Sequence, residues 1–225
     1  MKINIFRKLL TNVQIKAVLP EQFLEIPPVV FDFARDNNVI PKANLVNATK
    51  FSRHIAQILN EQGRNLGIGQ YGEDRGIYQS PIYKTKVEAR SVHLGIDLFV
   101  PVNTPIFAPL DGIIHSFQDN NHFLDYGPTI ILEHNIKGGK FYTLYGHLSR
   151  TSLSKLKNGQ KINAGDLFAK VGNQNENGNW PTHLHFQIIT DMLGYSGDFP
   201  GVARPSEKRR YFAICPDPNL ILRIL

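Results

Sequence analysis

Between residues 83 and 189 the apolar residues come in short runs, and Gly, Pro and Asn break them at close intervals. Runs of four to eight residues with this punctuation read as strands, because a helix needs a longer run with a 3.6-residue period. The stretches 92–99, 105–108, 112–117, 129–133, 141–146, 167–171 and 184–189 fit, and Gly138-Gly139 marks a hairpin turn between two of them. The pattern predicts an antiparallel, mainly β core with little helix. Set into it are His93 and Asp97, four residues apart, and His183 and His185, two apart. Side chains alternate across a strand, so each even-spaced pair points to one face. Two such strands side by side would bring three or four polar groups to one point.

That point has a definite chemistry. Two imidazoles and one carboxylate are a ligand set for a catalytic Zn²⁺ whose fourth position stays open to water. A further histidine, His147, ends the strand that begins near Phe141, and alternation places it on the face of Phe141, Thr143 and Tyr145. His115, His122 and His134 belong to no such arrangement and read as surface or loop residues.

Three separated blocks occur in one order: His93-Leu-Gly-Ile-Asp97 with the stretch from Pro101 to Gly112, Tyr145-Gly-His-Leu148 with the stretch from Gly159 to Gly165, and His183-Leu-His-Phe186. Together they resemble the lysostaphin-like zinc metallopeptidases of the M23 family, over about residues 92–189. One short motif recurs by chance, but three in order are specific. The resemblance implies a lysostaphin-type antiparallel β-sheet peptidase core. It implies that His93, Asp97 and His185 bind Zn²⁺, and that His147 and His183 act as catalytic groups. The reaction it implies is peptide-bond cleavage by a metal-activated water, in peptidoglycan cross-links or stems, with a peptide or peptidoglycan-like substrate in an open groove. One of the two catalytic histidines would act as general base and the other would stabilise the oxyanion. The Asp111-Gly112 pair matches a structural turn of the family.

Two departures concern specificity. The loop before His183, from Asn173 to Thr182, carries Trp180 and several amides where the family is rich in Gly, Ser and Thr. Gln187 stands where an acid is usual. Trp180 is large, set among polar residues, and three positions before His183, which suits stacking on a substrate. The runs 125–134, 176–181, 197–201 and 215–222 are similar to a subgroup in which such a domain lies between phosphotransferase and class III aminotransferase domains; those fusions would be intracellular.

Outside the core, residues 1–80 read as an N-terminal region of unknown role. Ala48, Phe51, Ile55, Ile58 and Leu59 recur at helical spacing, which predicts one helix near 44–62 with Asn44 as N-cap and Gly63 as C-cap. Residues 63–76 read as a Gly-rich loop. The peptidase domain is expected over 81–195, and residues 196–225 as a tail that packs on the core and ends in an apolar strand over 220–225. The net charge of +6 is spread along the chain rather than gathered with aromatics, which argues against nucleic-acid binding. The lone Cys215 excludes an intrachain disulfide. Charges at Lys2, Arg7, Lys8 and Lys16 interrupt any signal-peptide core, and no stretch reaches the roughly twenty apolar residues of a membrane span. These features predict a cytoplasmic protein, or one exported by a non-standard route. A cytoplasmic setting favours an alternative, a zinc amide hydrolase acting on a small non-peptidoglycan substrate. A non-catalytic binding module would have lost ligands, and all five polar residues are present.

Overall fold

The computed structural model describes residues 3–35, 47–77 and 88–225. Its strands are β1 (Val29–Phe31), β2 (Gly67–Gly69), β3 (Val92–His93), β4 (Ile96–Phe99), β5 (Pro105–Phe107) and β6 (Gly112–Asn120). They continue as β7 (Gly127–Ile136), β8 (Gly139–Gly146), β9 (Lys161–Ile162), β10 (Leu167–Lys170), β11 (Leu184–Ile189) and β12 (Val202–Ala203). Among the described residues four α-helices accompany them: α1 (Ile3–Leu9), α2 (Ala48–Glu61), α3 (Lys208–Ile214) and α4 (Asn219–Leu222). The fold is mainly β, as the broken apolar runs predict.

One eight-stranded sheet, in the order β1-β2-β4-β11-β8-β7-β6-β9, organises the molecule. Only its β1–β2 pair is parallel. Strand alternation gives the sheet two chemically different faces. On one face Ile96, Leu98, Ile130, Leu132, Tyr145, Leu184 and Phe186 form the main core, closed by Phe6, Val18, Leu19 and Phe23 from the N-terminal residues. Burying each such side chain stabilises the fold by about 1.5–3 kcal/mol. On the other face a smaller cluster of Leu94, Ile131, Leu144, Ile189 and Phe199 leaves room for polar side chains. Asp97 pairs with His185 across β4 and β11 on that second face.

The N-terminal residues take part in this sheet. β2 pairs with β4, Gly69 opposite Asp97, and β1 pairs with β2. The stretch expected as a loop over 63–76 therefore contains a strand that borders the site. The predicted helix is α2, with Asn47 as its N-cap accepting from the Lys50 backbone N–H at 3.0 Å; the expected cap Asn44 lies outside the described residues. Phe51 and Ile55 of α2 are buried with Phe31, Phe33 and Phe99.

Three expectations need correction. The run 92–99 is two strands, not one: the chain leaves the sheet at Leu94, whose N–H bonds Gly201, and β3 pairs with β12 instead. Residues 219–222 are helical rather than extended, because the Asn219 carboxamide oxygen accepts from the Ile224 and Leu225 backbone and closes a turn. A four-residue apolar run cannot by itself distinguish the two. Finally, His134 is fully buried in β7, not at the surface. It bonds the Asp111 carbonyl through Nδ1 and the Thr143 hydroxyl through Nε2, each at 2.8 Å. Those two partners satisfy both ring nitrogens and let a polar ring sit in the core.

Candidate metal centre

His93, Asp97 and His185 meet on the second face of the sheet, all three buried. His93 Nε2 lies 3.1 Å from His185 Nδ1 and 3.2 Å from Asp97 Oδ1, and His185 Nδ1 lies 3.1 Å from Asp97 Oδ1. The three atoms form a nearly equilateral triangle. Donors held about 2.0–2.2 Å from one tetrahedral Zn²⁺ would be roughly 3.3–3.6 Å apart, so the triangle is slightly tight but of the right size.

The outer contacts decide what these atoms carry. His93 Nδ1 is 2.8 Å from the Gln70 carbonyl oxygen. A carbonyl can only accept, so Nδ1 holds the proton and Nε2 presents a lone pair. Gln187 donates its amide to the Pro200 carbonyl at 3.2 Å, which turns its oxygen toward His185 Nε2 at 3.0 Å. His185 Nε2 therefore donates, and its Nδ1 presents the lone pair. Asp97 Oδ1 has only lone pairs. Three acceptors thus face one another about 3 Å apart, which is repulsive without a cation and suited to one. Burial and then Arg75 push the His93 pKa down to about 4, keeping the ring neutral as a ligand must be. Burial alone would raise the Asp97 carboxyl, but its charged surroundings, the Arg75 guanidinium among them, hold it well below the usual range.

Gly95, between His93 and Asp97, has a spatial role. A Cβ there would lie 2.4 Å from His185 Cε1 and 2.5 Å from its Nε2. A side chain at this position would collide with the imidazole itself.

His183 and His147 stand beside the triangle. Their ring centroids are 4.2 Å apart, and His183 Nε2 is 3.7 Å from Asp97 Oδ1. His183 Nδ1 donates to the Pro181 carbonyl at 2.6 Å and His147 Nδ1 to that of Asn177 at 2.9 Å. Both rings consequently offer an Nε2 lone pair toward the cavity, and burial above all lowers both pKa values. The predicted face for His147 needs correction. Tyr145 pairs with Phe186 on the main-core side, so strict alternation would send His147 there too. Its backbone instead adopts φ +63, a left-handed conformation that turns the ring to the opposite face. Such strain in a non-glycine residue collects at functional sites.

Around the five side chains is a cavity of roughly 330 Å³. Phe33, Arg75 and Ile77 wall it from the N-terminal residues, Trp180 and Pro181 from the loop, and Asp198, Phe199 and Gly201 from the tail. Among the described residues these walls surround the site only in part, and the cavity stays open on one side. Trp180 is only 6% exposed and packs with Ile77 and Val202, so its ring is largely a packing element of the wall. Residues that the motifs do not reveal are Gln70, Arg75, Tyr126 and Asn177. Tyr126 Oη is 3.3 Å from His185 Nε2, and no spacing signal in the sequence links it to the histidines.

Residues 91–195 match the family model described as Peptidase family M23. A peptidoglycan DD-endopeptidase of Vibrio cholerae, ShyA, is 28% identical over 97 residues, 43% of this chain and 20% of that protein. An uncharacterized metalloprotease of Haemophilus influenzae is 31% identical over 138 residues, 57% of this chain and 26% of that protein. The alignments therefore span about a fifth to a quarter of those relatives. The catalytic domain of lysostaphin from Staphylococcus simulans is 25% identical, covering 67% of this chain and 94% of that one, at a TM-score of 0.42. Among the described residues no helix is long and apolar enough to cross a membrane. Every residue of the triangle and both adjoining histidines fall within 91–195, and that span matches an M23 peptidase family domain.

Proposed function

We propose that this chain is a zinc-dependent hydrolase of the lysostaphin type, cleaving peptide bonds in peptidoglycan cross-links or stems. The observation that carries the reading is the triangle of three lone pairs, whose tautomers are set by Gln70 and Gln187. His93 Nε2, Asp97 Oδ1 and His185 Nδ1 would hold the ion. Bound zinc supplies Lewis-acid activation of water and polarisation of the scissile carbonyl. His147 and His183, each with a free Nε2 lone pair on the cavity, would accept the proton of the attacking water and, once protonated, donate to the developing oxyanion. Their lowered pKa values keep at least one of them unprotonated, and so able to act as a base, at neutral pH. The modest size of the cavity, roughly 330 Å³, lends support to a second reading, hydrolysis of a small amide substrate rather than a polymer strand.

The test is direct. Purified protein should carry about one equivalent of zinc by elemental analysis, and His185→Ala should lose the metal and hydrolysis together. Mass detection of products from muropeptides set against a panel of small amides chooses between the two substrates. Full zinc occupancy in His185→Ala would overturn the ligand assignment.

A further inference from the structure

The matched family span begins at residue 91, yet residues before it, among them Gln70, Glu73 and Arg75, bond His93 and Asp97. Arg75 is 2% exposed, and its Nη1 lies 2.6 Å from Asp97 Oδ2. Its Nε bonds Glu73 Oε2 at 2.9 Å and its Nη2 the Gln70 carbonyl at 3.2 Å. The Gln70 carbonyl also accepts from His93 Nδ1. One guanidinium fork therefore grips an Asp97 oxygen and the carbonyl that orients His93. The backbone secures the arrangement: Arg75 N–H donates to Ser91, and His93 N–H to Glu73, both at 2.9 Å.

We infer that Arg75 is the positioning residue of the metal centre, holding Asp97 with Oδ1 toward the two imidazoles and fixing the carbonyl behind His93. The inference rests on the zinc reading above. Asp97 has two equivalent oxygens, and a free carboxylate could rotate either toward the metal or chelate with both. Arg75 occupies Oδ2, so only Oδ1 is left to the triangle. A planar fork with fixed donor directions can do this for two acceptors at once, whereas a lysine ammonium on a flexible stem cannot. Glu73 offsets the positive charge of Arg75, so the pair adds orientation without adding net charge next to a cation. Outer-shell partners of this kind typically change metal affinity by about 10–100-fold when removed.

The experiment measures zinc affinity by competition with a chromogenic chelator, alongside circular dichroism and melting of the metal-free proteins. Arg75→Lys keeps the charge and should weaken zinc binding at least about tenfold, with Arg75→Met weakening it further. Gly69→Ala removes no polar group, but its Cβ would lie 2.7 Å from Arg75 Nη2 and 3.2 Å from Asp97 Oδ2. It should weaken binding severalfold, and it keeps the test valid should Arg75→Met not fold. Unchanged zinc affinity in folded Arg75→Lys and Gly69→Ala, even with lower melting temperatures, would make Arg75 a packing residue and overturn the inference. Absence of zinc binding in the wild type would instead overturn the metal reading itself.

Discussion

His134 and the cavity histidines sit on opposite faces of the same sheet, and they are alike in most respects. All are buried, and His134, His93, His147 and His183 each donate Nδ1–H to a backbone carbonyl. The second nitrogen separates them. In His134 it meets the Thr143 hydroxyl, which closes the ring's hydrogen bonding within the core. In the cavity it faces a second lone pair, as in His93, or has no hydrogen-bond partner among the described residues, as in His147. Burial and tautomer alone therefore do not mark a functional histidine. What marks it is a lone pair that the protein orients and then leaves for something else.

That distinction can be broken by mutation. The largest effect is expected at His147 and His183. Replacing either by Ala should leave zinc bound and the fold intact while turnover drops on the order of 10² or more. Metal analysis and steady-state rates on the same samples decide it; loss of zinc in His183→Ala would put that residue among the ligands instead.

A more moderate effect is expected where the wall supports the cavity. The Asn177 side chain bonds the Trp180 backbone on both sides, and the Asn177 carbonyl holds His147. Trp180→Ala should lower stability by about 3–5 kcal/mol in denaturant unfolding, as loss of a buried aromatic does. A variant with unchanged stability and a raised KM would restore Trp180 to the substrate-stacking role that its sequence context suggests.

The smallest effect belongs to His134. Burial pushes its pKa from 6.5 down to about 4. The unfolded chain takes up the proton first, so this stabilisation is complete above about pH 6.5 and is lost as pH falls toward 4. Comparing wild type with His134→Gln by urea unfolding, the wild-type advantage should shrink by roughly 2 kcal/mol between pH 7.5 and pH 5. A gap that does not change with pH would mean that His134 is not held neutral.

The meeting of His185 and Asp97 was legible because alternation on two adjacent strands is rigid. Alternation does not reach His93, which lies beyond the break at Leu94, and it puts His183 and His185 on one face, so the choice between them came from the motif resemblance. The short broken runs likewise announced the β core. His147 escaped because a single positive φ reverses a face, and a histidine gives no advance sign of it. Gln70 and Arg75 escaped because a backbone carbonyl has no sequence signature and the guanidinium reaches its partner through strand pairing. The burial of His134 depends on Thr143, nine residues away on the neighbouring strand, and neither residue type alone predicts the core. The tail helix turned on one carboxamide, that of Asn219.

The wide sequence separation within the triangle also governs how the molecule must assemble. His185 stands 92 residues from His93 and 88 from Asp97. Any cation that grips all three can do so only after β4 and β11 have zipped together, since closing so long a loop costs entropy that one early contact does not return. Such an ion would arrive late and act as a latch rather than a nucleus. It would slow unfolding and raise stability in proportion to the logarithm of its concentration, while leaving the early steps of collapse to the apolar strands.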